Sequence, residues 1–467
     1  MKNNYFLFEK FNDNEYLITN ELGFFCFVDK TSFINMVEQK YSNIHEELIR
    51  KLKERMFIFD TSDTLFSEIA YPEYRKAKQY LFSGTCLHIF VLTNACNMNC
   101  VYCQAQDVDH QAKGLMDFQT AENAVEIALQ SPVNSLNFEF QGGEPLLNFP
   151  IIEHIVEYAE EHKNDKKITY SVVTNTLELS GKMIEFFIEH EVSVSTSLDG
   201  DKTLHDNNRP RKNGQGTFKT VIDNIEQMKR KGISVGAIQT TTKNSLKYAK
   251  QIVETYLQCG LENVFIRPLT PLGYARKNWD KIGYTVKEFL IFYEELLDYI
   301  LQLNKKGRNI REGHSILFLN KILGRVSGNY MELRSPCGAG IGQMAYYYDG
   351  AIFTCDEGRM LYEMGNDTFQ IGKVNNSTYQ SIMDNRITKL TCQSSILEAI
   401  PQCCDCVYHP FCGVCPVVNL ASCNNIYVRE ANSYRCQIYK GMLDILFKRI
   451  YDNAEELAIF NRWIQRA

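Results

Sequence analysis

Long apolar runs are missing from this sequence. No stretch of the 467 residues approaches the roughly 20 uninterrupted apolar residues of a membrane-spanning helix. The opening residues, MKNNYFLFEKFNDNEY, contain no apolar core long enough for a signal peptide. We therefore expect a cytoplasmic protein that has no membrane partner.

An excess of positive charge is also missing. The formal net charge is −6, which gives no reason to expect nucleic acid as a partner. The sequence has no low-complexity tract, and its only internal repetition is an alternation of strand and helix patterns. Apolar residues make up 45% and charged residues 23% of the chain. This balance and length indicate a globular protein of two or three domains.

Cysteine, by contrast, is abundant. The chain has 16 cysteines, and most of them fall in two short clusters or in the segment that leads into the second. In a large cytosolic protein, clustered cysteines indicate metal ligands rather than disulfides, which belong mostly to small secreted domains. Cys26, Cys86 and Cys259 lie apart on strand or helix patterns, so we expect them to be small core residues.

The order of the patterns predicts an α/β fold with added parts at both ends. Residues 1–62 predict a small α+β module, and 63–85 a linker helix. In 86–310, six strand patterns alternate with amphipathic helices, which predicts a parallel sheet curled into a partial (β/α)6 barrel. The Cys-rich region 311–436 and a C-terminal helix in 437–467 complete the chain. The predicted barrel helices are 117–130, 148–163, 179–190, 216–231 and 246–258, with a long helix over 286–305.

The stretch NACNMNCVYCQ places Cys96, Cys100 and Cys103 directly after the first barrel strand. That position is the C-terminal end of the strands, where barrels carry their chemistry. A structural zinc site needs four ligands in a closed tetrahedron. An iron–sulfur cube takes one thiolate per iron, so three cysteines would leave its fourth iron open for a substrate.

This motif, Cys-x3-Cys-x2-Cys with Tyr102 before the last cysteine, resembles the radical S-adenosylmethionine superfamily. The resemblance implies a [4Fe–4S] cluster whose unique iron chelates the methionine amino and carboxylate groups of S-adenosylmethionine. One electron from the cluster would then cleave the sulfonium. The product would be a 5′-deoxyadenosyl radical that abstracts hydrogen from a substrate.

Later strand ends agree with that resemblance. FQGGEP, in which the paired glycines allow close backbone approach, matches the segment that holds the methionine amino group. Gln141, Ser197 and Arg209 match cofactor contacts, and Leu269 in RPLTP matches an apolar wall beside the adenosine. Taken singly, GGEP could be a tight turn and Arg209 a solvated loop charge. The candidate cofactor-binding residues are Tyr102, Gln141, Gly142, Gly143, Glu144, Thr174, Asn175, Ser197, Arg209 and Leu269.

The second cysteine field resembles the SPASM extension of radical enzymes that modify peptides and proteins. The resemblance implies two auxiliary iron–sulfur clusters, both expected to be [4Fe–4S]. Their expected ligands are Cys403, Cys406, Cys412 and Cys436 for an outer cluster and Cys337, Cys355 and Cys415 for an inner one. The usual last interval is three residues, whereas Cys412 and Cys415 are separated by two. Cys392, Cys404 and Cys423 are further candidates, and two structural zinc sites are the alternative.

Because of this shorter interval, the inner cluster could stay three-coordinate or take a substrate sulfur. Asp356 directly follows Cys355, and in sulfatase-maturing relatives an aspartate at this position accepts the proton released as the substrate radical is oxidised. We predict the same catalytic role here. The alternative is a surface or helix-capping aspartate.

Five stretches spread over nearly the whole chain resemble the radical maturases of His-Xaa-Ser repeat peptide systems: YLITNELGFFCFVD, LHIFVLT, FEFQGGEPLLNF, PCGAGIGQMAYYYDG and CVYHPFCGVCPV. This similarity implies a ribosomal precursor peptide as substrate, bound through the N-terminal module at a strand edge, and a reductant such as flavodoxin or ferredoxin. One alternative is a sulfatase-maturing enzyme that makes formylglycine. Another is a non-catalytic iron–sulfur electron carrier or zinc-stabilised binding protein. Three [4Fe–4S] clusters would give about twelve irons per chain, whereas a zinc protein would contain zinc.

Overall fold

The computed structural model describes residues 1–60, 66–106, 113–326, 330–429 and 433–465. The boundary predicted between residues 62 and 63 and the last two residues of the predicted C-terminal helix lie outside these ranges. Within them, the strands form three sheets of two, three and ten strands. None of the described helices is long and apolar enough to cross a membrane.

The first elements form the predicted small α+β module. They are β1 (Lys2–Asn3), β2 (Leu7–Lys10), β3 (Glu15–Thr19), β4 (Phe25–Asp29), α1 (Lys30–Val37), α2 (Glu46–Glu54) and β5 (Ile58–Phe59). α3 (Phe66–Ala77) follows in the region predicted as the linker helix. β2, β3 and β4 pair antiparallel in that order, and β1 pairs with β5. Asp29 caps α1, because its carboxylate accepts a hydrogen bond from the Ser32 N–H. Cys26 is buried in the module core, as predicted.

Alternating strands and helices follow as expected. The elements are β6 (Leu87–Val91), α4 (Phe118–Leu129), β7 (Ser135–Gln141), α5 (Phe149–His162), β8 (Lys167–Val173), α6 (Gly181–Glu189), β9 (Ser193–Ser197), α7 (Lys202–Asn208), α8 (Phe218–Arg230), β10 (Val235–Thr240), α9 (Ala249–Gln258), β11 (Asn263–Arg267), α10 (Gly273–Lys277), α11 (Trp279–Ile282), α12 (Val286–Lys305), β12 (Arg311–Glu312) and α13 (Gly313–Ile322). Strands β6 to β12 lie side by side in chain order, and all are parallel. The predicted α/β barrel architecture is confirmed.

The Cys-rich region adds further strands and helices. They are β13 (Gln343–Tyr347), β14 (Ala351–Phe353), α14 (Asp356–Glu363), β15 (Gln370–Lys373), α15 (Tyr379–Met383), α16 (Arg386–Gln393), α17 (Pro416–Cys423), α18 (Tyr434–Asp452) and α19 (Ala454–Ile464). Strand β13 pairs in parallel with β6, so the barrel sheet continues into this region. The sequence did not predict this pairing, which satisfies the backbone groups at the open edge of the first barrel strand.

The two faces of the barrel sheet differ in polarity. On β7, Leu136, Phe138 and Phe140 are buried in the core beneath α4 and α5. Because side chains alternate along a strand, Glu139 and Gln141 lie on the opposite, interior face. Polar side chains therefore line the barrel interior near the strand ends, where a ligand would bind.

The C-terminal segment corrects the prediction of a single helix. α18 ends at Asp452 and α19 begins at Ala454, because Asn453 has an extended backbone and caps α19 with its side chain. Arg449 of α18 binds Glu456 of α19 at 3.1 Å across this break. A one-residue interruption preserves the apolar periodicity, so the sequence pattern could not show it.

The linker helix predicted over 63–85 also ends earlier than predicted, at Ala77, the last residue of α3.

We expect the folded state to lose stability below neutral pH through His88. Burial lowers the pKa of this β6 side chain to about 3, whereas it titrates near 6.5 when the chain unfolds. The stabilisation is complete above the unfolded pKa and is lost as pH falls. Between about pH 7.5 and about pH 5.5, it should cost about 1.4 kcal/mol. Urea unfolding should show that His88→Gln loses this component.

His162→Gln is the matched control, because His162 is exposed on α5. It should keep the wild-type pH dependence. An equal pH dependence in His88→Gln and wild type would contradict the assignment to His88.

Candidate active site

The loop that follows β6 brings the first three cysteines together. The Met98 N–H donates to the Cys96 Sγ at 3.4 Å, and the Cys103 N–H donates to the Cys100 carbonyl at 3.2 Å. Burial raises the pKa of Cys96 and Cys100 to about 12 and that of Cys103 to about 11. Each pKa is raised further by another thiol of the same set. The three thiols therefore lie close enough to interact electrostatically.

This cysteine triad suits a cluster better than a single ion. Within the described ranges, no three Cys, His, Asp or Glu side chains converge to hold one metal ion. An iron–sulfur cube makes a different demand, since each thiolate binds a different iron. Cys96, Cys100 and Cys103 would hold three irons and leave the fourth open to S-adenosylmethionine.

Two glycines allow the end of β7 to contact the cysteine loop. The Gly143 N–H donates to the Thr93 carbonyl and the Glu144 N–H to the Ala95 carbonyl, both at 2.8 Å. A Cβ atom on Gly142 would lie 2.6 Å from the Thr93 oxygen, and one on Gly143 would lie 2.2 Å from the Ala95 oxygen. No side chain fits in this space. The GGEP stretch is therefore part of the surface that holds the cysteine loop in place.

The Glu144 carboxylate connects the ends of β7 and β8 behind that loop. Its buried carboxylate accepts hydrogen bonds from the Thr174 hydroxyl at 2.6 Å, the Asn175 N–H at 2.7 Å and the Leu146 N–H at 3.0 Å. Burial raises the Glu144 pKa to about 7, and these donors oppose the shift. The Asn175 amide donates to the Asn97 side chain at 2.7 Å and lies 3.7 Å from the Cys96 Sγ. Glu144 and Thr174 thus support the loop from behind, and Asn175 reaches the first cysteine.

Arg209 is a buried charge beneath the cysteine loop, which excludes the solvated-loop alternative. Its Nε lies 3.2 Å from Asp199 Oδ1, and its guanidinium lies over the Tyr102 ring at 5.0 Å. The Tyr102 hydroxyl and the Asn208 amide donate to Asp199 Oδ2 at 2.5 and 3.0 Å. Burial alone would lower the Arg209 pKa, but Asp199, Tyr102 and Cys100 raise it. The Asp199 carboxylate thus holds two of the predicted cofactor-binding residues, Tyr102 and Arg209, in place.

A cavity of about 300 Å³ opens between the barrel and the Cys-rich region. Gln104, next to Cys103, and Leu269 line its barrel side, while Glu357 and Arg435 line the opposite side. Leu269 is buried, and its N–H donates to the Tyr284 hydroxyl at 2.7 Å. Ser197 and Gln141 end β9 and β7 but do not line this cavity.

The second cysteine field forms two groups that match the predicted sets. Cys337, Cys355 and Cys415 are buried in one core cluster. The Cys415 charge raises the pKa of Cys337, and the charges of Cys415 and Cys337 raise the pKa of Cys355. Cys403, Cys406, Cys412 and Cys436 line a second cavity, of about 380 Å³. Of the extra cysteines, Cys423 lines the first cavity, and Cys392 and Cys404 line neither.

Replacing Cys406 and Cys412 together by alanine should remove the outer cluster. These two thiols supply half of the expected ligands of that cluster. Because one of three expected clusters is lost, the iron content should fall by about one third, or about four irons per chain. Iron and sulfide analysis of anaerobically reconstituted protein measures the change. Cys392→Ala with Cys404→Ala is the control and should keep the wild-type content. A loss of zinc instead of iron would support the zinc alternative.

Asp356 begins α14 but is not free. Its Oδ1 accepts hydrogen bonds from Arg359, with the Nε at 3.0 Å. Arg359 is almost fully buried. The two residues form an ion pair one helical turn apart, so Asp356 is neither a surface residue nor an unpaired base.

The sequence pattern did not single out several charged residues near these cavities. Glu139 accepts a hydrogen bond from the Gln141 amide at 2.5 Å on the interior face of β7. Glu332 pairs with Arg435 at 2.8 Å between the two cavities. Glu139 could have been found from the sequence, because it alternates with the buried Phe138 and Phe140 along the strand. The pairing of Glu332 with Arg435 depends on a contact between distant segments, which has no local signature.

Comparison with known proteins identifies the class. The Radical SAM superfamily profile matches residues 90–270. An uncharacterized protein, MJ0907 of Methanocaldococcus jannaschii, is 31% identical over 220 residues, which are 47% of this chain and 71% of that protein. A cysteine-type anaerobic sulfatase-maturating enzyme of Clostridium novyi is 24% identical over 326 residues, 68% of this chain and 83% of that enzyme. Streptococcus suis SuiB, solved bound to its precursor peptide SuiA, shares the fold with a TM-score of 0.54 and 16% identity, covering 90% of this chain and 96% of SuiB.

This chain belongs to the radical SAM superfamily. It is an enzyme of that class, whose cofactors are a [4Fe–4S] cluster and S-adenosylmethionine. The Cys-rich C-terminal region fits a SPASM-like domain that carries auxiliary clusters.

Proposed function

We propose that this enzyme modifies a ribosomally made precursor peptide by abstracting hydrogen from a residue of its core. The observation that carries the proposal is the 300 Å³ cavity, which has Leu269 and Gln104 of the barrel on one side and Glu357 of the Cys-rich region on the other. A peptide residue in this cavity would lie between the cofactor side and the inner cysteines. The expected product is a cross-link or another oxidised residue.

The roles of the chain's own residues follow from the site. When bound, the cluster and S-adenosylmethionine supply the radical that abstracts hydrogen. Cys96, Cys100 and Cys103 would hold the cluster, and Gly142 and Gly143 keep the adjoining backbone close to the loop. Asp199 holds Tyr102 and Arg209 in place. Leu269, with Pro268 and Leu272, forms an apolar part of the cavity wall.

The N-terminal module supports a peptide substrate through its position. It contacts the outer cysteine segment, since the Thr19 hydroxyl donates to the Val407 carbonyl at 2.7 Å and Glu9 binds Lys440 at 2.9 Å. β2 is an edge strand and Phe8 is exposed. An extended leader could pair with such an edge. The same proposal includes four further points. The enzyme belongs to the His-Xaa-Ser maturase subgroup and has the domain division given above. It receives electrons from a flavodoxin or ferredoxin and works in the cytoplasm.

A second candidate is a sulfatase-maturing enzyme that converts cysteine or serine to formylglycine. The relative from Clostridium novyi favours it, as does Asp356 beside Cys355. As a proton acceptor, Asp356 would have to act while its charge is balanced by Arg359. The N-terminal module that contacts the outer cysteine segment favours the precursor peptide instead.

Co-expression with the short peptides encoded beside its gene tests the proposal. Mass spectrometry should show the loss of hydrogen from one of these peptides with wild type and no change with Cys100→Ala. A cysteine-containing sulfatase peptide is the probe for the second candidate. Formylglycine in that peptide, with the neighbouring peptides unchanged, would replace the first candidate by the second.

A further inference from the structure

One buried guanidinium lies between the two auxiliary cysteine groups. Arg435 directly precedes Cys436 near the start of α18, and it lines both the 300 Å³ and the 380 Å³ cavity. Tyr439, one turn further along, also lines both, and the Arg435 guanidinium lies 4.7 Å from its ring. These two side chains form the wall that separates the cavities.

Only part of this guanidinium has a partner. Nη1 binds Glu332 Oε2 at 2.8 Å, and the Tyr439 hydroxyl donates to the other Glu332 oxygen at 3.2 Å. The Arg435 Nε and Nη2 atoms are buried and have no hydrogen-bond partner among the described residues. Buried N–H groups are rarely left without an acceptor, because each carries a desolvation cost.

The turn between Cys412 and Cys415 lies beside this ion pair, since a Cβ atom on Gly413 would lie 2.0 Å from the Glu332 carbonyl oxygen. Burial raises the pKa of Cys412 to about 11 and that of Cys415 to about 12, and the Arg435 charge opposes both shifts. Cys412 belongs to the outer set and Cys415 to the inner set. Lys321 is also near Cys412, and Glu332 and Glu357 are near Cys415. The Arg435 charge therefore acts on a cysteine of each set.

We infer that Arg435 is a positioning residue for both auxiliary clusters, whose sulfurs accept its Nε and Nη2 hydrogen bonds and whose reduction potentials it raises. This inference rests on the two auxiliary clusters. Hydrogen bonds to sulfur and nearby positive charge stabilise the reduced, more negative cluster. One side chain near both sets would raise both potentials together.

Reductive titration followed by electron paramagnetic resonance tests the inference. The protein is the full chain carrying Cys96→Ala, Cys100→Ala and Cys103→Ala, reconstituted anaerobically so that only auxiliary clusters are observed. At the potential where this parent is half reduced, Arg435→Gln should lower the reduced-to-oxidised ratio of both clusters at least tenfold. For a one-electron couple, that is a midpoint about 59 mV lower. Arg435→Lys keeps the charge but loses the forked donors, so it should lower the ratio about threefold.

Arg449 provides the matched controls on the same helix. It is also a mostly buried arginine in ion pairs with carboxylates, and no cysteine contributes to its pKa. Arg449→Gln and Arg449→Lys should therefore keep the parent midpoints.

Unchanged midpoints in Arg435→Lys would overturn the inference, and this variant decides the matter if Arg435→Gln loses iron. A shift of one cluster alone would also overturn it. Loss of all auxiliary iron from the parent would overturn it together with the cluster assignment. Peptide modification is not measured in this titration, so a failure of the proposed function would not affect the result.

Discussion

Gly143→Ala is expected to abolish cofactor cleavage while most of the fold persists. The new Cβ would lie 2.2 Å from the Ala95 carbonyl oxygen and 2.6 Å from its carbon. Both atoms are backbone, so no side chain can rotate away, and the loop that carries Cys96 must move. A displacement of about 1 Å at a reacting centre can cost about 100-fold in rate. Overpacking of this kind should also lower the free energy of unfolding by about 3 kcal/mol.

The measurements are 5′-deoxyadenosine formation by reconstituted protein and denaturant unfolding. Gly181→Ala is the matched control, because a Cβ at this first residue of α6 meets no atom within 4 Å. It should keep wild-type cleavage and stability. Wild-type cleavage by Gly143→Ala would show that the β7 end does not position the cysteine loop.

Asp199→Asn should give the largest loss of stability of any conservative change at the site. The carboxylate balances the buried Arg209 charge and accepts hydrogen bonds from Tyr102, Asn208 and the Thr240 N–H. Asparagine removes the charge and leaves Arg209 without its counter-ion. Breaking a buried ion pair in this way costs about 3–5 kcal/mol. Cofactor cleavage should fall as well, since Tyr102 and Arg209 lose their common anchor.

Asp201→Asn is the control two residues along the chain. Asp201 caps α7 by accepting the Leu204 N–H at 2.9 Å, and asparagine caps a helix equally well. Its free energy of unfolding should therefore stay within about 0.5 kcal/mol of wild type. Equal stabilities of the two variants would contradict the anchoring role of Asp199.

Local patterns predicted the barrel well. Helix α12 begins and ends at the predicted residues, because its capping residue, Thr285, and a long apolar stripe leave no ambiguity. The predicted cysteine sets lie together because each motif follows a strand end or a tight loop. The pairing of β13 with β6 escaped prediction, since register between distant strands has no local pattern.

The charged residues show the same limit. Asp199 follows the end of strand β9, and Arg209 follows the next helix, α7. Because the two residues are close in sequence, their proximity could be predicted without the structure. The ion pair of Asp356 with Arg359 could be predicted from the sequence, because residues three apart share a helix face. The contacts of Arg435 join segments about a hundred residues apart, and only the folded chain shows them.

Formation of 5′-deoxyadenosine tests the central claim most directly. Anaerobically reconstituted wild type is incubated with S-adenosylmethionine and dithionite, and the small products are analysed by mass spectrometry. The matched variant carries Cys96→Ala, Cys100→Ala and Cys103→Ala. We predict 5′-deoxyadenosine from wild type and none above background from the variant. Iron-loaded wild type that forms none, or a variant that forms as much as wild type, would contradict the assignment of this loop as the radical-generating site.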